Sequence, residues 1–277
     1  MRRRVAAHER VLGLAVFVLF LAGMGSRDAW AWGPAADQAV VSRAIETLPK
    51  GLKPFYKSHK LEMPSLALEP SFPEDSPERR FAIDRLMPWP FADLPRTEKE
   101  MKARYPDQAT AIGRLPWLIQ DSYAQLVAAF KSGDKVKILT ESDVLALFVA
   151  EVHNPLSLTD NADGQKTGQH GLWIRSSVKL VEAMKDRLKV EPDAARYLDD
   201  PNEYVFSMIE ASYVWLDNLL YADLLARKGK SGYGEIFFES FEMRAGRTIA
   251  DRLSRAAEDA GSYWYTAWTA AGRPELK

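Results

Sequence analysis

The chain has no cysteine and only four histidines in 277 residues. Without cysteine there can be no disulfide, no thiolate nucleophile and no lipid-modified cysteine. Four histidines, at His8, His59, His153 and His170, leave little imidazole for a metal centre. Neither sign of charge is in excess, the formal net charge being −1, so nothing drives the whole chain toward nucleic acid or an anionic membrane. Past the first thirty residues no apolar run is long enough to span a bilayer, and no useful stretch alternates in the period-two manner of a strand. There is no Gly-x-Ser-x-Gly elbow and no phosphate-binding loop, and no internal repeat or low-complexity tract.

What is present begins with an export signal. Arg2, Arg3, Arg4 and Arg10 precede an apolar run from Val11 to Gly25, and Ala29-Trp30-Ala31 gives the small-x-small pattern of a cleavage site. The run is about fifteen residues, short of the roughly 20 that span a bilayer. The expectation is a signal peptide over 1–31 and a mature, exported chain, periplasmic or extracellular, that starts at Trp32 and has no transmembrane segment. Residues 1–31 hold five of the 37 basic and two of the 38 acidic residues, so the mature chain carries a net charge near −4. No bulk affinity for nucleic acid is expected of it.

The remaining 246 or so residues read as one all-α domain, a multi-helix bundle. Val40, Val41, Ala44, Ile45 and Leu48 form a helical stripe within Asp37–Leu48. Met63–Pro95 holds seven of the sixteen prolines and is expected to be irregular. Helices are predicted over 97–104 and 115–130, from an N-cap at Ser142 to about His153, and then over 172–188, 202–226 and 234–271. The last could break near Gly246 or Gly261. Residues 154–171 form a polar loop. Trp264, Tyr265 and Trp268 read as helix-packing aromatics, because the acidic balance argues against stacked nucleic-acid bases.

Four segments carry a resemblance: Trp32-Gly33 with Asp37 after it; Phe81-Ala82-Ile83-Asp84 followed by Pro90-Phe91 and Leu94-Pro95-Arg96; Gly113-Arg-Leu-Pro-Trp117 ahead of an amphipathic helix; and Glu151-x-His153-x-Pro155-Leu156-Ser157 with its Gly-Gln loop. In this order and spacing, together with the C-terminal run Ser262–Trp268 and Gly272-Arg-Pro274, they resemble the zinc-dependent phospholipase C and single-strand nuclease superfamily over nearly the whole mature chain. The resemblance implies a helical cleft in which imidazoles, carboxylates and the N-terminal tryptophan hold three zinc ions for phosphoric ester hydrolysis.

Carried over position by position, most of those ligands are replaced. The histidine after Trp-Gly becomes Asp37, an early aspartate becomes Ser71, and the next histidine becomes Phe81. On the metal helix, histidine becomes Leu147 and aspartate becomes Glu151, and the following histidine becomes Ser157. The last pair becomes Trp173 and Ser177, or His170 and Ile174 in another register. Phe81, Leu147 and Trp173 would fill the vacated cleft. The reading is therefore a catalytically degenerate scaffold with a binding or structural role, with no full zinc cluster.

Trp32, Asp37 and Glu151 survive as the resemblance's third-metal position. Two readings of them are open: a residual site for one Ca²⁺, Mg²⁺ or Mn²⁺ serving an altered phosphoesterase, or an ion pair between the Trp32 ammonium and the two carboxylates. His153 is expected to hydrogen-bond structurally and His170 to be exposed or capping. Asn161, Asp163, Gly164 and Gln165 supply turn chemistry, since the Asp160-x3-Gly164 run lacks the spacing and terminal Glu of a calcium loop.

Overall fold

The computed structural model describes residues 32–67 and 77–276. The signal peptide expected over residues 1–31 and the Ser71 position lie outside them. Among the described residues there is no strand, and the helices are α1 (Pro34–Thr47), α2 (Lys53–His59), α3 (Pro64–Ala67), α4 (Glu98–Arg104), α5 (Leu115–Ser132), α6 (Lys135–His153), α7 (Val181–Met184), α8 (Pro201–Tyr213), α9 (Leu216–Arg227) and α10 (Glu235–Ala270). A π-helical segment, Ile174–Leu180, runs directly into α7. Between Pro77 and Pro95 only single turns of tight helix form, as the proline density demands. Among the described residues no helix is long and apolar enough to cross a membrane.

α10 is the axis of the fold. Its 36 residues, about 54 Å at helical rise, run unbroken through both glycines that might have interrupted it. Gly261 is there for close approach: a Cβ built on it would lie 2.0 Å from Thr47 Oγ1 and 3.1 Å from the Ala44 carbonyl oxygen. α1 crosses α10 at that point with no room for a side chain. Trp264, fully buried, stacks on Tyr56 with ring centroids 4.7 Å apart, and its indole donates to the Ser142 carbonyl at 2.9 Å. Trp264 packs the interior, whereas Tyr265 and Trp268 are half-buried.

α6 starts eight residues earlier than its sequence indicates. Asp134 is the N-cap, accepting from the Lys137 amide at 3.1 Å, whereas Ser142 is interior and donates back to the Ile138 carbonyl at 2.6 Å. Nearly every residue from Ile138 to His153 is buried, so no one-sided stripe marks the start of this central helix. The stretch 202–226 is two helices, because the chain turns at Val214 and Trp215. The stretch 172–188 is mostly the π-helical segment and α7, and ends at Met184.

Two apolar clusters result. One gathers Tyr56, Phe81, Phe130, Phe206 and Trp264; the other gathers Trp32, Leu172, Phe237, Phe241 and Leu253. Helices α1, α6 and α10 contribute to both, so the candidate site between α1 and α6 sits where the clusters meet.

Candidate functional site

Gly33 sets the entry to α1. Its φ of +73° costs an L residue but not glycine, and a Cβ there would press on Val178 at 3.2 Å. Pro34 then opens the helix, where its missing N–H loses nothing. This geometry drives Trp32 inward until its indole donates to the Ala150 carbonyl at 2.8 Å. One turn along, the Asp37 amide donates to the Gly33 carbonyl at 3.1 Å, and the Asp37 side chain faces α6. The structure thus brings together Trp32, Asp37 and the end of α6 that carries Glu151.

The cation beside these acids is Arg79, from the turn Pro77–Arg79. Its Nη2 meets Glu151 Oε1 at 2.8 Å, with both side chains largely buried, at 13% and 5% exposure. Ser157 Oγ donates to Glu151 Oε2 at 3.0 Å. Both carboxylate oxygens of Glu151 are thereby engaged. Asp37 is different: burial pushes its carboxyl up to about 8, helped by the neighbouring Glu151 charge and more weakly by Asp143, and opposed by Arg79. At neutral pH Asp37 is chiefly the neutral acid, while Glu151 is paired with Arg79. Asp143, the other buried carboxylate nearby, accepts from the Ser65 amide and hydroxyl, the latter at 2.8 Å.

The replaced positions divide. Phe81 is fully buried, its ring edge-on to Trp117 at 5.6 Å, and its amide donates to the Ser157 carbonyl at 2.8 Å. Leu147 is buried as well. Trp173 is only partly buried, at the margin of the second cluster, so the three do not form a single plug. The wider turn of the π-helical segment changes which side chains point inward: Arg175, Ser176 and Ser177 are buried in succession. Ser177 Oγ accepts from Asn154 Nδ2 at 3.0 Å.

His153 serves a structural bond, as its position suggests. Its Nε2 lies 2.9 Å from Asp259 Oδ2, while Asp259 Oδ1 accepts from the Tyr204 hydroxyl at 2.8 Å. Ser212 Oγ is 3.5 Å from His153 Nδ1, which sketches a nucleophile triad. Ser212 and His153 are 0% and 2% exposed, so no substrate atom reaches the hydroxyl in this arrangement. His170 is exposed, and its carbonyl accepts from Arg175 Nη1 at 2.6 Å. The loop is a set of turn bonds: Asp163 accepts from the Gly171 amide at 2.8 Å and the Trp173 amide at 3.3 Å, and Asn161 Oδ1 from the Lys166 amide at 2.7 Å.

Sequence reasoning missed Arg79 and the buried pair of Arg175 with Asp223, which is joined at 2.8 and 3.0 Å and roofed by the Tyr233 ring at 4.1 Å. Both are long-range pairs whose partners have no fixed spacing along the chain. Arg79 carries one local clue, its place two residues before the Phe81 position. Among the described residues no three of His, Cys, Asp or Glu converge closely enough to share a metal ion. No known family model matches the chain, and no curated protein matches it.

Proposed function

We propose that this chain is a non-catalytic scaffold of the phospholipase C and nuclease type, exported and acting through binding or structure. One observation carries the reading: the Glu151 carboxylate is held by Arg79 at 2.8 Å and Ser157 at 3.0 Å. A guanidinium stands where the resemblance implies a metal. The replacements at Phe81, Leu147, Ser157 and Ser177 support the same conclusion, since each is packed or hydrogen-bonded within the protein.

The alternative is one hard cation on Trp32, Asp37 and Glu151, and the convergence of the two carboxyl groups favours it. The donors in their present state do not suit it. Ca²⁺, Mg²⁺ and Mn²⁺ need anionic oxygens with free lone pairs. Here one acid is protonated and the other is neutralised by Arg79, so a metal would have to displace the guanidinium and ionise Asp37.

The test is phosphodiester and phospholipid turnover after addition of Zn²⁺, Mn²⁺ or Ca²⁺, run beside Glu151→Gln. The scaffold reading predicts wild-type rates no greater than those of the variant. Metal-stimulated turnover in the wild type that is lost in Glu151→Gln would establish the phosphoesterase reading.

A further inference from the structure

The helix hairpin α9–α10 ends in an apolar surface that no other described element covers. Tyr221, Leu224 and Leu225 on α9 are 65%, 52% and 41% exposed, and Ile236 in the first turn of α10 is 71% exposed. Residues 221, 224 and 225 share one face of α9 by the i, i+3, i+4 rule, and Lys228 follows as the C-cap of the same helix. The turn that follows, Lys228-Gly-Lys-Ser-Gly-Tyr-Gly234, has no acidic residue. Arg227 lies over the Tyr233 ring at 5.6 Å, joining the end of α9 to that turn. Lys230 donates to the Ala226 carbonyl at 2.7 Å, which keeps its charge at the same tip. Glu235 is the acidic residue that adjoins the turn, while Asp223 is buried against Arg175.

We infer that this tip is a docking surface for an anionic lipid bilayer. Apolar side chains on both sides of a tip carrying three cations, Arg227 at the end of α9 and Lys228 and Lys230 in the turn, match the depth profile of a membrane interface, where hydrocarbon lies beneath a layer of negative headgroups. The chain as a whole has no such drive, so the attraction is local to Arg227, Lys228 and Lys230. A second copy of the chain is disfavoured as occupant, because two such tips would bring like charges together.

The absence of native cysteine allows a direct readout. In the full chain, Ser231→Cys is labelled with an environment-sensitive fluorophore, and Val136→Cys at the start of α6 serves as the control site. The label at 231 is expected to shift to the blue on vesicles containing phosphatidylglycerol and to stay unchanged on phosphatidylcholine alone. Lys228→Glu with Lys230→Glu should weaken that response at least tenfold, since each basic residue lost costs roughly fivefold in affinity. Ile236→Ser should weaken it while leaving the salt dependence in place. The proposal is overturned by an absent shift at 231 or by an equal shift at 136. It is overturned too by a shift that grows with protein concentration without vesicles, which would mean self-association. A shift produced by polyglutamate but not by vesicles would overturn it in favour of an acidic protein partner.

Discussion

Glu151 and Asp37 are neighbouring buried acids in different settings. Arg79 lies against Glu151 at 2.8 Å, while burial raises Asp37 to about 8. The unfolded Asp37 titrates near the ordinary aspartate value of 3.8. The folded state therefore holds a proton that the unfolded chain releases between those two values, and stability falls as pH rises from about 4 to about 8. Asp37→Asn keeps the shape and removes the acid, so urea unfolding at pH 5 and pH 8.5 should show that part of the slope gone. Removing the counter-ion acts the other way. Arg79→Met leaves Glu151 charged and buried and is expected to cost about 3–5 kcal/mol at pH 7; adding Glu151→Leu should restore much of it. A loss below about 1 kcal/mol in the single variant would mean that the pair is solvated.

The helices show which features of the chain are legible and which are not. α5 is legible in its one-sided apolar stripe, and it runs two residues past the expected end to Ser132, where Gly133 closes it in the left-handed conformation, φ +69°. The start of α6 was missed because this central helix is buried all round and offers no stripe. Val214 and Trp215 continue the apolar pattern through the break between α8 and α9, so the corner is invisible to periodicity. Gly246 and Gly261 pointed to a break, yet α10 passes through both, since Gly261 answers to α1 rather than to its own helix. In an isolated helix, glycine to alanine would gain about 1 kcal/mol. Here the new methyl meets Thr47 and the Ala44 carbonyl, and overpacking of this kind typically costs about 1–3 kcal/mol. Gly261→Ala should therefore be destabilising in denaturant melts. Thr47→Ala in the same chain should recover part of the loss, because the Ala44 oxygen at 3.1 Å remains. Equal or greater stability in Gly261→Ala would show that the crossing is looser than described.

At the scale of the molecule, the fold class was written in the helical periodicity, and the candidate site only by half. Trp32, Asp37 and Glu151 do converge, but the residue that decides their chemistry, Arg79, is distant from all three in sequence and follows no motif. Phe81 and Leu147 are buried as their residue types require, whereas Trp173 is only partly buried and precedes a π-helical segment that no spacing rule foretells. Helices α1, α6 and α10 thread both apolar clusters, so neither can open without breaking the others' packing. Tryptophan fluorescence and far-ultraviolet circular dichroism should report one coincident unfolding transition; two separated transitions would divide the chain into independent units.

The central claim is that a guanidinium occupies the place of a metal, and elemental analysis tests it most directly. The protein is purified without chelator, titrated with Zn²⁺, Ca²⁺ and Mn²⁺, desalted and measured beside Glu151→Gln. The account predicts no stoichiometric metal in either protein and no gain in thermal stability from any of the three ions. Near-stoichiometric metal in the wild type that vanishes in Glu151→Gln would contradict it.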